Sequence, residues 1–156
     1  MSMNDFQRIG RVQADYSRCI DEGPLERWPD FFVENCMYRI TTAQNYSEGL
    51  PAGLVWANTR HMLVDRVSAL REANIYERHT YRHILGQPLV LDENGDGIHA
   101  ETSFLVVRVM RDGQSDIFTS GRYVDRYVEV DGQLKIAERV VVCDSTNIDT
   151  LLALPL

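Results

Sequence analysis

The chain is 156 residues long, enough for one domain that buries roughly two thirds of the surface of its unfolded chain. Apolar residues make up 44% and charged residues 25%, the balance of an ordinary soluble globular protein. A formal charge of −7 excludes nucleic acid and anionic membrane as main partners, because phosphate binding needs positive patches.

Residues 3–22 read as a helix, with Phe6, Ile9, Val12, Tyr16 and Ile20 near helical spacing. Gly23-Pro24 ends it, and Pro24 can open a second short helix over 25–32. Residues 34–42, ENCMYRITT, read as a first strand in which Cys36, Tyr38 and Ile40 alternate as one packed face. A polar, glycine-rich loop runs to Leu54, and a helix over 59–72 follows, capped by Asn58 or Thr59. Strands are then expected at about 75–91, 98–111, 115–130 and 133–144. Their connections are a turn at 92–97, Asp112-Gly113 and Asp131-Gly132, and Asp-Gly between alternating runs is a strong hairpin signal. Helices first and a meander after them predict an α+β domain, residues 1–156 as one unit, with N-terminal helices packed on a curved antiparallel sheet. This order resembles the cystatin-like, nuclear-transport-factor-like cone shared by scytalone dehydratase and steroid isomerase, a fold that does not settle function.

No apolar run approaches the roughly 18–20 residues of a membrane span. The polar start, MSMNDFQRIGRVQADYSRC, lacks the apolar core of a signal peptide. Cys19, Cys36 and Cys143 are odd in number and form no C-x-x-C, which fits a reduced cytoplasmic compartment.

The densest chemistry lies in residues 66–86, RVSALREANIYERHTYRHILG. The stretch begins as a helix with Val67 and Leu70 on one face, then alternates like a strand. Tyr76, Arg78, Thr80, Arg82 and Ile84 point one way; Ile75, Glu77, His79, Tyr81 and His83 point the other. A half-buried strand normally has one apolar face. This one carries long polar and aromatic side chains on both, as expected where one face lines a cavity and the other meets a partner. Lys135 is the only lysine among the 16 basic residues, and arginine favours the planar, stacked contacts of interfaces.

Each chemical reading has a plainer competitor. His79 and His83 sit four apart, but on a strand that is roughly 13 Å, too far to share one metal ion. His61 and Asp65 share a helical face as a possible dyad or ligand pair; an exposed ion pair is the favoured reading. DENGDG at 92–97 opens like a calcium loop, yet position twelve is Ser103 where a bidentate Glu is required, so a hairpin turn is preferred. Cys143 lies in the apolar run VVVC and is expected to be buried and inert. Phe31, Phe32, Trp56 and Phe118 are expected in the core. The enzymatic alternative is a stand-alone cone-fold enzyme or binding protein for a small hydrophobic ligand. It would use Asp65, His79, Tyr81 and His83, with Tyr38 as a further donor.

The segments SALREANIYERHTYRHILG and ERVVVCDSTNIDTLLALPL, with WPDFFVENCMYRIT and EGLPAGLVWA, resemble the small (β) subunits of bacterial aromatic-ring-hydroxylating dioxygenases. The likeness covers nearly the whole chain and points to the subgroup acting on terephthalate-, anthranilate- or halobenzoate-like aromatic carboxylates. The resemblance implies a non-catalytic subunit, inactive alone, that supports assembly of the α subunits as a ring of three α and three β chains with homotrimer contacts. It implies no cofactor here, the Rieske 2Fe-2S cluster and the mononuclear Fe(II) belonging to α. None of the three cysteines begins the C-x-H that a Rieske site needs. Candidates for contacts between chains are Tyr76, Arg78 and Arg82, together with Leu151, Leu152, Leu154 and Leu156 of the tail. Four leucines there are a liability unless covered; the other reading is that the tail folds back on its own sheet.

Overall fold

Asn4 starts the first helix, α1 (Asp5–Glu22). Its side chain accepts the Gln7 amide at 2.9 Å, and the Gln7 side chain accepts the Asn4 amide at 3.2 Å. That reciprocal cap satisfies two of the helix's orphan donors. The computed structural model describes residues 4–51, 53–73, 79–145 and 154–156. Along α1 the buried side chains are Ile9, Gln13, Tyr16, Cys19 and Ile20, the helical stripe expected, and Gly23 stops the helix at a φ of 82°. A 3-10 helix (Leu25–Phe31) then buries Leu25 and Trp28.

Strand β1 (Phe32–Thr42) leads into two short elements, α2 (Ala43–Ser47) and β2 (Val55–Ala57), in the stretch expected to be a loop. Both are too short to leave a periodic signal. Thr59 Oγ1 accepts the Met62 amide at 3.2 Å and opens α3 (Arg60–Ala73). The remaining strands are β3 (His79–Leu85), β4 (Leu89–Asn94), β5 (Gly97–Met110), β6 (Ser115–Val130) and β7 (Gln133–Cys143). The single strand expected over 75–91 is thus two. Pro88, which has no N–H to give a ladder, separates them, and both pair with β5. Asp131 and Gly132 both take positive φ, as the two-residue turn between β6 and β7 requires.

The strand order is β2-β1-β7-β6-β5-β3, with β4 on β5 off that path. The sheet is mixed, which corrects the antiparallel expectation: β1 runs parallel to β7. The chain leaves β1 through α2, β2 and α3 to reach β3 at the far edge, and the meander brings β7 back alongside β1 in the same direction. The side chains of α1, the 3-10 helix and α3 pack with the inner face of this sheet in one core. Phe32 is fully buried and Phe31 and Phe118 are half-buried against that core. Trp56 is not: it is 54% exposed. Strand β2 turns Val55 and Ala57 inward, so Trp56 must point out, beside Arg39.

Candidate functional site in the cone interior

The inner face of β5–β7 carries polar side chains where a cone-fold binding site would lie; most of their polar atoms bond one another, while Arg139 Nη1 and Tyr123 Oη are buried with no hydrogen-bond partner among the described residues. Arg139 is fully buried and meets Asp125 through two hydrogen bonds of 2.8 Å, Nε to Oδ1 and Nη2 to Oδ2. This is the planar fork-to-fork arrangement that arginine favours. The Tyr127 hydroxyl donates to Asp125 Oδ2 at 2.8 Å and accepts from Arg139 Nη2 at 3.1 Å. From α1, Gln13 Nε2 donates to Thr102 Oγ1 at 2.8 Å and to Tyr127 Oη at 3.1 Å. The guanidinium carbon of Arg139 lies 3.9 Å from the Tyr123 ring centre and 4.3 Å from that of Tyr16, so it is held between two aromatic faces.

Electrostatics follow this packing. Burial raises the Tyr16 hydroxyl pKa against the lowering pull of Arg139, and it raises Tyr123 and Tyr127 as well. Burial alone would lower Arg139; the carboxylate of Asp125 and the hydroxyls of Tyr127 and Tyr16 outweigh it, so its pKa is raised. The arginine stays charged and the tyrosines stay neutral. Through Gln13 the network holds the sheet to α1.

The strand 79–85 alternates as its sequence predicts: Tyr81 and His83 are buried, while Thr80, Arg82 and Ile84 are exposed. Glu77, Tyr76 and Arg78 lie outside the described residues. The backbone amide of His83 donates to Asp21 Oδ2 at 2.8 Å, and His83 Nδ1 lies 2.7 Å from Asp21 Oδ1. Since a carboxylate only accepts, Nδ1 carries the proton. Nε2 is buried with no hydrogen-bond partner among the described residues. Tyr81 stands between the His79 and His83 rings at 5.2 and 6.1 Å and stacks on Phe118 at 5.2 Å.

Of the four residues of the enzymatic alternative, His79, Tyr81 and His83 adjoin one another along β3, and Asp65 does not join them. Asp65 sits on the exposed side of α3, 66% exposed in its side chain and 3.6 Å from His61, the exposed ion pair favoured from spacing. Tyr38 is committed elsewhere. Its hydroxyl donates to the Leu156 backbone oxygen at 2.9 Å and lies 3.1 Å from the Leu156 amide, and Tyr16 Oη donates to the same oxygen at 2.8 Å. Leu156 is therefore fully buried in the chain's own core, with Leu154 half-buried against it. The outward position expected for Leu156 gives way to a fold-back onto Tyr16 and Tyr38; Leu151 and Leu152 lie outside the described residues. Arg82 is exposed, with Nη1 3.3 Å from Glu22 at the end of α1.

Among the described residues no group of three or more His, Cys, Asp or Glu is placed to hold a metal ion. The calcium-like run at 92–97 is the β4–β5 hairpin, where Asn94 Oδ1 accepts the Asp96 amide at 2.7 Å. Cys19, Cys36 and Cys143 are free and buried, and burial pushes the Cys143 thiol up to about 11. A solvent-open groove of about 420 Å³ lies between α1, the 3-10 helix and the β6–β7 turn, lined by Arg8, Arg27, Asp30 and Lys135 among others. No helix of the described residues is long and apolar enough to cross a membrane.

Sequence reasoning missed Asp21, Asp125 and Arg139, the residues that organise this interior. Asp21 reads as part of a polar helix end, and Arg139 hides in the apolar run ERVVVC.

Comparison with known proteins agrees with this architecture. The family model of the SnoaL-like domain matches residues 1–140. The chain is 49% identical over 154 residues to subunit beta 1 of the terminal oxygenase component of terephthalate 1,2-dioxygenase from Comamonas sp, covering 99% of each protein. It is 36% identical over 154 residues to the anthranilate 1,2-dioxygenase small subunit of Burkholderia cepacia, covering 99% of this chain and 96% of the other. A crystal structure from Novosphingobium aromaticivorans, assigned as the beta subunit of an aromatic-ring-hydroxylating dioxygenase, superposes with a TM-score of 0.89 at 36% identity, over 97% of this chain and 96% of that one. With identity of that order along almost the whole of both chains, this protein belongs to the β subunits of aromatic-ring-hydroxylating dioxygenases, built on the SnoaL-like domain.

Proposed function

We propose that this chain is the structural subunit of a Rieske non-haem iron dioxygenase acting on an aromatic carboxylate, and that it works by holding α subunits in place. The observation that carries the substrate class is the 49% identity to the terephthalate 1,2-dioxygenase subunit over 99% of both chains. The filled interior supports a structural role, since Arg139, Asp125, Tyr127 and Gln13 occupy the space that a cone-fold enzyme keeps for substrate. The iron–sulfur cluster and the mononuclear iron belong, in this reading, to the α partner. The complex is a ring of three α and three β chains in the cytoplasm, in keeping with three free thiols. Contacts between chains fall on Arg82, with Tyr76 and Arg78 before it in the sequence, and on Leu151, Leu152 and Leu154 of the tail; Leu156 serves the fold inside the chain.

The test is co-expression with the α reading frame that carries the C-x-H and C-x-x-H cysteines and histidines. The two chains are expected to co-purify, and oxygen uptake driven by an aromatic carboxylate to require α and a reductase. Stoichiometric iron or turnover in the isolated chain, by elemental analysis and assay, would overturn the reading.

A further inference from the structure

Leu156 sits in the core without belonging to any helix or strand. Buried backbone groups are normally paired within helices or ladders; those of Leu156 meet side chains instead. The hydroxyls of Tyr16 and Tyr38 both donate to its backbone oxygen, at 2.8 and 2.9 Å, and its amide donates to Tyr38 Oη at 3.1 Å. Tyr38 thus reads the N–H and the C=O of one residue with a single hydroxyl. Pro155, just before it, has no N–H to give a ladder. The segment is held as a ligand is held, by side chains around one residue.

The seat is built without that segment. Tyr16 comes from α1, Trp28 and Phe31 from the 3-10 helix, and Phe32 and Tyr38 from β1. Their rings meet edge to face, Tyr16 with Phe31 and Phe32 at 5.5 and 6.1 Å, Trp28 with Phe32 and Tyr38 at 5.7 and 5.3 Å, and Phe32 with Tyr38 at 5.8 Å. The cage also holds a donor that Leu156 does not use: Trp28 Nε1 is buried with no hydrogen-bond partner among the described residues. Burial raises the Tyr16 hydroxyl pKa, and Arg139 and then Trp28 pull it back, which places the indole beside that hydroxyl. The two tyrosines already take both lone pairs of the Leu156 carbonyl oxygen; a carboxylate, with about four acceptor sites, has room for the indole as well.

We propose that this aromatic cage is a binding site for an N-acylated leucine, filled in cis by Leu156, and that it takes the same unit in trans when Leu156 is kept out. It offers a dry pocket for the isobutyl group, two hydroxyls for the carbonyl and one of the two for the N–H as well. A tethered segment competes at a local concentration of about millimolar order, so free ligand enters only once the segment is displaced. The proposal stands apart from the subunit reading, which its failure would leave intact.

The test uses the full chain as wild type, Leu156→Lys, and Leu156→Lys with Tyr38→Phe. A lysine at 156 would meet an apolar cage whose polar groups are donors, with the Arg139 cation behind Tyr16, so the segment is kept out. The probes are N-acetyl-leucine and N-acetyl-leucinamide at about ten millimolar, with N-acetyl-alaninamide as the control, read by thermal unfolding. L156K is expected to gain about 3 °C or more in Tm with a leucine probe, and wild type to gain nothing. Adding Y38F should weaken binding at least about tenfold. A gain with the acid alone or with the amide alone supports the site and names the group it reads. No gain with either leucine probe, an equal gain with the alanine derivative, or unchanged binding in the Y38F background overturns the proposal. If L156K does not fold unaided, refolding from urea is the readout: recovery with a leucine probe and not with the alanine one supports the site, and no recovery overturns it.

Discussion

Asp21 holds His83 twice, taking the backbone amide with one carboxylate oxygen at 2.8 Å and the ring Nδ1 with the other at 2.7 Å. The two residues are 62 positions apart, and both side chains are essentially closed to solvent, 4% and 0% exposed. The last turn of α1 is thereby fixed to the middle of β3. Replacing Asp21 with Ala leaves a buried amide and a buried ring N–H unpaired. Because an unsatisfied buried donor costs about 1–3 kcal/mol, Asp21→Ala should lose about 3 kcal/mol in urea unfolding. Asp21→Asn, which keeps an acceptor, should lose less. Equal midpoints for D21A and wild type would show that the clamp is idle.

Asp125 and Arg139 make a sharper contrast. Asp125→Ala strands a buried guanidinium and should cost about 3–5 kcal/mol, a large part of a domain's usual stability. Asp125→Leu combined with Arg139→Met removes both charges and should recover most of that loss, because desolvation of the pair is also removed. The check is a double-mutant cycle in urea at unchanged slope.

Two glycines should respond in opposite directions to Ala. At Gly121 an added Cβ would lie 2.0 Å from the Val142 carbonyl oxygen, where β6 and β7 pair. Backbone must move, so Gly121→Ala should cost about 3 kcal/mol or more. Gly10 lies in α1 with nothing within 4 Å of the same position, and Gly10→Ala should stabilise by about 0.5–1 kcal/mol. Thermal unfolding of both variants decides the pair.

The cysteines give a pH prediction. Burial pushes the Cys143 thiol from its ordinary value of 9.0 up to about 11, and raises Cys19 and Cys36 as well. The thiolate is the reactive form, so a thiol reagent at pH 8 should modify none of the three in the folded chain while labelling all three in denaturant. The buried thiol of Cys143 favours the folded state fully below 9.0, and that contribution is lost as pH rises toward about 11. Rapid native labelling of Cys143 at pH 8 would contradict its burial.

Arg82 separates fold from assembly. Its ion pair with Glu22 is exposed, 62% and 44%, so Arg82→Ala should change monomer stability by no more than about 1 kcal/mol. If the strand meets a neighbouring chain, the same substitution should lower the yield of complex with α. Full recovery of complex, with unchanged stability, would remove Arg82 from the interface.

Local signals in the sequence carried the elements well. The spacing of Ile9, Tyr16 and Ile20 and the turn residues Asp131-Gly132 each rest on a few adjacent residues, and the helix and the hairpin stand where those signals put them. The alternation of Thr80 to Ile84 was legible for the same reason. The interior was not. His83 announced a need for a partner, but the partner is a helix-end aspartate that any reading of α1 assigns to solvent. Asp125 and Arg139 face each other only because β6 and β7 pair in one register, which no local pattern specifies. Trp56 failed differently: a large aromatic is counted as core by its size, while the edge strand's two-residue alternation turns it outward.

An interior already occupied by Arg139 and its tyrosines makes this subunit interchangeable in a way that a catalytic chain is not. Among the described residues that space is taken up by Arg139, Asp125, Tyr127 and Gln13, which bond one another. Exchanging this subunit, in the assembled oxygenase, for the subunit of its terephthalate or anthranilate relatives should alter how firmly the complex holds and how much is recovered. The acid consumed and the product released should follow whichever large subunit is present.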